Sequence, residues 1–342
     1  MMRHYTSRRQ YGLSALELLI GMVLGVILVS GATASYLASK RSYLEVEQFS
    51  FLAENAQFAE RILTDSLRHA GFFGEVQFNR IEVDSALTAV ASDCTGPAAA
   101  YALQSYVFAA VADADGEALG CITDAVPGSH VLVVKSVQPQ PLSDGPRGVP
   151  ADPDIATQGD GVIDTPLGLA ATQTYIMTND TLGVLFDGAD TPPSITDGGA
   201  VPRGVAWAYQ YEVFYVRAGA IPQLSRKTLL NIAGTATVVT EDLVEGVEEM
   251  RMRFGVDGVA GVAGEVDIYT AVTAMGTNWN QVQSIEIALL VRAPGADPAY
   301  NNSKSYQLAG STITPADNFR RVLVMASISL RNPKLVIRGS AA

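Results

Sequence analysis

The chain has 342 residues, 48% of them hydrophobic, with 35 acidic against 23 basic side chains and a formal charge of −12. That is ample material for the core of one large domain or two small ones. A surface this acidic excludes general binding to nucleic acid or anionic lipid, and the three histidines, His4, His69 and His130, assemble neither a histidine-rich metal site nor a Ser-His-Asp triad.

Residues 12 to 20 read Gly-Leu-Ser-Ala-Leu-Glu-Leu-Leu-Ile, so one carboxylate, Glu17, lies within an otherwise uncharged stretch from Leu13 to Ala38. As a helix rising about 1.5 Å per residue, that stretch reaches roughly 39 Å, enough to cross a bilayer. A charge in such a helix costs roughly 2.5 to 3.5 kcal/mol at the membrane centre, so Glu17 needs a partner or a purpose. Arg3, Arg8 and Arg9 precede it without any acid, which orients the short N-terminus toward the cytoplasm. One alternative is an ordinary secretory signal, because Ala32-Thr33-Ala34 before Ser35 has the small-x-small pattern of a cleavage site. Against it, a cleaved signal has no need of Glu17, and the helical pattern continues beyond Ser35. An uncleaved anchor for a periplasmic enzyme is a further alternative.

These residues resemble the N-terminus of a type IV prepilin: a basic leader ending in Gly12, then a mature chain starting at Leu13 with Glu17 fifth. The resemblance implies that a prepilin peptidase cuts between Gly12 and Leu13 and methylates the new amine, and that the apolar helix serves first as membrane anchor and later as filament core. The amine at Leu13 of one subunit can then meet Glu17 of its neighbour, turning a buried cost into an assembly register. The chain departs from the commonest pattern in having Leu13 where Phe is usual and no helix-bending Pro near Ala34. A straighter helix follows, as expected of a minor pilin. Residues 1–12 are thus expected to be a leader, 13–42 a membrane and filament-core helix, and 43–342 an exported globular domain. Removing three arginines and no acids from −12 leaves −15 for the mature chain.

Beyond Lys40 and Arg41, Leu52, Ala56, Ala59, Leu63, Leu67 and Ala70 recur at spacings of three and four among Glu54, Glu60, Arg61, Asp65 and Arg68. This predicts a continuation of the helix over 43–70 with one buried stripe, widened by Phe51, Phe58 and Ile62. Gly71-Phe72-Phe73-Gly74 supplies the stop. The period then changes from 3.6 to 2. Strands are predicted over His130–Val137, Thr174–Thr178, Trp207–Arg217, Val247–Val256, Val282–Arg292 and Phe319–Leu330. Ile285, Ile287, Leu289 and Val291 alternate with Glu286 and Arg292, which predicts one buried and one wet face. The fold class expected is α+β and pilin-like, a long N-terminal helix packed on an antiparallel β-sheet domain (75–332) with long loops. The longest loops span 138–172 and 187–203, and their length makes them unlike plain connectors.

Cys94 and Cys121 are the only cysteines. An exported route favours their pairing, closing a loop of about 27 residues, although two separate buried thiols remain an alternative. The runs Asp113-Ala114-Asp115-Gly116-Glu117 and Asp152 to Gly161 look like fragments of calcium loops but lack EF-hand spacing and read as solvated turns. Asn179-Asp180-Thr181 and Asn301-Asn302-Ser303 read as turn chemistry. No catalytic, cofactor-binding or metal residue is singled out, and an enzyme is not expected.

A second resemblance covers both ends of the chain. Glu54 to Ala59, Leu67 to Phe72, Glu241 to Met250, Arg253 to Asp257, Val282 to Arg292 and Arg320 to Asn332 are similar to the PilW family of type IV pilus minor pilins. About residues 75 to 205 carry no resemblance to a family that can be named. The resemblance implies a low-abundance subunit that helps to start pilus assembly and stays near the tip, supporting adhesion and twitching motility. Its implied partners are other minor pilins, the major pilin, an adhesin-like tip protein, the prepilin peptidase and the inner-membrane assembly platform. It also implies a single-pass inner-membrane protein with a periplasmic domain before assembly and a pilus location afterwards. The alternative from the same N-terminus is a minor pseudopilin of a type II secretion system.

Overall fold

The structure, a computed structural model, describes residues 12, 14–142, 169–195, 198–257, 266 and 268–332. It divides into two compact units, Met1–Phe51 and Leu52–Ala342. Helix α1 (Ala15–His69) contributes to both.

In the first unit α1 carries no charged residue from Leu18 to Ala38, and its large apolar side chains are exposed, from Leu16 and Leu18 through Leu28 to Leu44. By length and composition this part can cross a membrane. The helix runs unbroken through Ala32–Ser35. Ser30 and Thr33 send their hydroxyls back to the carbonyls of Val26 and Val29 (2.6 and 2.8 Å), which satisfies the polar groups where no solvent is required.

In the second unit the predicted stripe is the buried one: Leu52, Ala56, Ala59, Leu63, Leu67 and Ala70 are each at most 1% exposed. Phe58 does not widen it and stands 52% exposed, because its position falls on the far side from Ala56 and Ala59. Gly71 ends the helix at φ +72°, where a Cβ would meet the Tyr106 ring at 3.0 Å. Gly74 follows at φ +80°, where a Cβ would lie 2.5 Å from the Trp207 indole nitrogen. Both steps therefore need glycine.

The strands are β1 (Ile81–Val83), β2 (Val107–Val111), β3 (His130–Val137), β4 (Thr174–Thr178), β5 (Gly183–Asp187), β6 (Val205–Arg217), β7 (Gln223–Ile232), β8 (Thr235–Glu245), β9 (Val247–Val256), β10 (Ile268–Ala271), β11 (Val282–Arg292), β12 (Tyr306–Leu308), β13 (Ser311–Ile313) and β14 (Arg321–Ser329). An eight-stranded sheet runs β1-β5-β4-β6-β3-β2, with the β7–β8 hairpin joined to the later part of β6. A four-stranded sheet runs β10-β9-β11-β14, and β12–β13 form a separate hairpin. All pairings between these strands are antiparallel except β1 with β5, which is parallel.

All eight residues of β3 are buried, because both faces of the large sheet are covered. Ser66 of α1 donates to Glu212 (2.5 Å) on one face, while Tyr209, Tyr211 and Lys135 reach the segment 97–102 on the other. The wet face expected on β11 is absent: Ala288 and Leu290 are 1% exposed and pack with Tyr306 and Leu308 of the β12–β13 hairpin. Gln138 and Leu142, at the start of the first long loop, donate to Ala208 and Ala206 of β6. Residues 143–168 lie outside the described residues, as do the second acidic run and residues 196 and 197 of the other loop.

Candidate functional site

Gly12, Ser14 and Glu17 are exposed at the head of α1, while Leu13 lies outside the described residues. The backbone N–H of Ser14 donates to the Glu17 carboxylate (2.9 Å), and the N–H of Glu17 donates to the Ser14 hydroxyl (3.2 Å). This reciprocal pair is a capping box, which satisfies amides that the first turn leaves without helical partners. Its signature, Ser-x-x-Glu ahead of an apolar run, stands in the sequence but is masked by the more conspicuous Gly12-Leu13 junction. Glu17 thus has a partner within its own chain, and its negative charge sits at the favourable end of the helix dipole.

Cys94 and Cys121 are joined by a disulfide with their Cα atoms 4.7 Å apart. The loop it closes is pinned to the large sheet from below. The Lys135 ammonium, fully buried, donates to the carbonyls of Pro97 and Ala102, both at 2.8 Å. Tyr209 and Tyr211 donate to Ala100 and Ala98 (2.6 and 2.8 Å). Asp93 accepts from the amides of Cys94 and Ala100 (2.8 and 3.0 Å). Burial pushes Lys135 down to about 7 against the opposing pull of Asp93, and burial raises Asp93 despite its backbone amides. A lysine in the interior of an apolar strand reads in sequence as an edge or surface position. Here it satisfies a loop's carbonyls.

The two sheets are tied by side chains that substitute for strand pairing. His130 Nδ1 accepts from the Met252 amide (2.9 Å), and the Ser129 hydroxyl lies 3.2 Å from the Met250 amide. Burial, then the nearby Arg251, lowers His130 to about 4, so the imidazole is neutral and Nδ1 is free to accept. His69 has Nδ1 2.9 Å from the Asp65 carbonyl on its own helix. Asp113 accepts from the amides of Asp115 and Glu117 (3.0 and 2.8 Å), so the first acidic run is a closed turn. Asn179 accepts from the amides of Thr181 and Leu182 and Asn302 from that of Lys304, which makes both tripeptides turn elements. Among the described residues no group of three or more metal-ligating side chains occurs.

A charge cluster lies where β14 begins. Arg321, its side chain 1% exposed, makes a two-pronged contact with Glu248 through Nε and Nη2, and Nη1 and Nη2 reach the two Asp317 oxygens at 2.6 and 2.7 Å. Arg292 lies 3.6 Å from Glu248 and stacks over Phe319 at 4.3 Å. Burial alone would lower Arg321, but its hydrogen bonds to Glu248 and Asp317 hold it above its ordinary value. The two carboxylates engage the Arg321 guanidinium on two edges, and the cluster fixes β9, β11 and β14 to one another.

A long apolar N-terminal helix followed by a mixed, mainly antiparallel β domain is an α+β, pilin-like arrangement. The family model described as type IV pilus-assembly protein W, PilW, matches residues 213–332, which supports membership of the PilW family and a place among type IV pilus-assembly proteins. The matched stretch runs from within β6 through β14 and contains the whole Arg321 cluster. No curated protein and no solved structure matches the chain.

Proposed function

We propose that this chain is a minor pilin that helps to initiate type IV pilus assembly and remains at or near the tip, with adhesion and twitching motility as downstream effects. The observation that carries the reading is the PilW match over 213–332, on a chain whose first helix is apolar enough to enter a membrane. In this reading residues 1–12 are removed, the methylated amine of Leu13 meets Glu17 of a neighbouring subunit, and the exported domain faces the periplasm until assembly. Partners are other minor pilins, the major pilin, an adhesin-like tip protein, the prepilin peptidase and the assembly platform, and the domain performs no catalysis.

The capping box refines this scheme. Glu17 is already held by Ser14 in the single chain, so pairing with a neighbour's amine is an exchange of partners instead of the rescue of an isolated charge. N-terminal sequencing of the membrane-extracted protein should begin at a methylated Leu13; a start at Ser35 would replace the reading with ordinary secretion. Glu17→Ala should leave abundance and insertion intact while reducing pili. A minor pseudopilin shares the same N-terminus, and pili that persist in a deletion strain while protein secretion fails would favour it.

A further inference from the structure

Strand β14 is the outer strand of the four-stranded sheet. Sheet edges invite further strands, and proteins blunt them with charges, proline, bulges or short length. The edge at β8 is blunted, since it carries Glu241, Asp242 and Glu245 and its pairing with β7 has a register shift. None of these devices occurs in β14. From Val322 to Ser329 it has neither charge nor proline, and its register with β11 is unbroken from Arg292↔Arg321 to Ser284↔Ser329.

The phase of the ladder shows which groups face outward. Leu330 donates to Gln283 (2.7 Å) and Ala293 to Arg320 (2.9 Å), so the even-numbered residues of β14 bond to β11. Leu323, Met325, Ser327 and Ser329 therefore direct N–H and C=O to the open side, where no backbone partner occurs among the described residues. Met325 is 67% exposed. Space exists on one face of a strand added there. On the helix side Val324, Ala326 and Ile328 close against Leu63 and Thr64 of α1 and leave no room for further side chains. On the other side a cavity of about 420 Å³ lies between Met325 and the Ala309-Gly310 turn of the β12–β13 hairpin.

We propose that the β14 edge receives a β-strand from another subunit of the same filament, pairing with the main chain of Leu323, Met325, Ser327 and Ser329. This rests on the assembly role proposed above. An extended backbone is the ligand chemistry that a row of alternating donors and acceptors recognises. Its side chains on one face enter the cavity beside Met325, so the incoming strand is apolar at alternate positions. Glu60 lies on the helix side and the chain carries −12, so charge favours a strand flanked by basic residues and opposes a second copy of this acidic chain. The Arg321 cluster holds the start of the edge rigid, which lowers the ordering cost of pairing.

Residue-resolved amide exchange tests this on the full-length protein in detergent and again in sheared filaments that contain it. In the isolated protein the amides of 323, 325, 327 and 329 should exchange at least about tenfold faster than those of 322, 324, 326 and 328, and in filaments they should slow by at least about tenfold. Odd-numbered amides already slow in the dilute protein would overturn the proposal, as would fast exchange there in filaments whose residues 15–51 have become protected. Protection that rises with the concentration of the isolated protein would overturn it in favour of self-pairing. Absence of the chain from filaments would instead sink the assembly reading, and this proposal with it. Ser327→Pro removes an outward N–H without touching the ladder to β11, and Met325→Lys places a guard on the edge. Both should retain the parent melting temperature and reduce incorporation at least about tenfold. Normal incorporation of both variants would refute the strand addition.

Discussion

The two parts of helix α1 are continuous in hydrogen bonding yet opposite in what surrounds them. In residues 15–51 Leu16, Val26, Leu28 and Val29 are each more than 65% exposed; from Leu18 to Ala38 no charged residue gives this part a face to turn toward water. In residues 52–69 apolar side chains form one stripe that the globular unit covers, while Glu54, Arg61, Asp65 and Arg68 remain outside. Helix propensity does not separate these parts, since both are helical. The spacing of polar residues does, because it decides whether burial is provided by this chain's own sheets or must come from lipid or neighbouring subunits.

The strongest way to break that comparison is to truncate one leucine in each part. Leu63→Ala removes a fully buried side chain and should cost about 2 to 5 kcal/mol in unfolding of the globular unit. Leu24→Ala, at a site 55% exposed, should leave that transition unchanged and act only on membrane insertion or assembly. Equal losses in chemical denaturation would mean that the first part also packs within its own chain.

Next in size is the disulfide. Opening a cross-link between residues 27 apart should cost the globular unit roughly 3 to 4 kcal/mol in the chain-entropy picture. Cys94→Ala with Cys121→Ala should lower its melting temperature without altering helicity in residues 15–51. An unchanged melting temperature would mean that Lys135, Tyr209 and Tyr211 hold the loop without help.

How far these features were legible in the sequence follows the same division between local and long-range causes. The buried stripe of α1, the glycine stop and strands β3, β4, β9 and β11 could be read because each depends on a repeat within a few residues. Strand β7 could not, because Ser225, Arg226 and Lys227 interrupt its alternation to meet Asp242, Glu241 and Thr240 on β8. The second face of β11 was misjudged because its cover, Tyr306 and Leu308, arrives from a hairpin absent from the local pattern. At the candidate site, Gly12, Leu13 and Glu17 form a local motif, whereas the pins Lys135, His130 and Arg321 have meaning only through carbonyls, amides and acids far away in sequence.

Acid should separate the two parts of the helix more gently. His130 binds its proton at about 4 when folded, whereas a histidine in the unfolded chain does so near 6.5. Between those values the unfolded state holds more protons, so stability is lost as pH falls from about 6.5 to about 4, by up to about 3 kcal/mol. Stability above about 6.5 is unaffected by this group. Equilibrium unfolding across that window should show the slope for the parent and a flatter one for His130→Gln, whose amide oxygen can still accept from Met252. Helicity from residues 15–51 in detergent should not follow the same titration, and if it does the two parts unfold as one unit.

The smallest effect belongs to the head of the helix, where only two side chains act. Ser14→Ala removes the hydroxyl that accepts from the Glu17 amide and leaves only the backbone N–H of residue 14 on the Glu17 carboxylate. A lost cap costs about 1 kcal/mol, and because it acts on the amides of the first turn alone, the loss should remain local. Amide exchange in detergent should quicken by about fivefold at residues 15–18 and leave Leu52–His69 untouched. Ser14→Thr, which keeps a hydroxyl, should behave as the parent does. Unchanged exchange in Ser14→Ala would show that the Ser14 hydroxyl does not cap the helix and that the backbone N–H of residue 14 alone holds the Glu17 carboxylate.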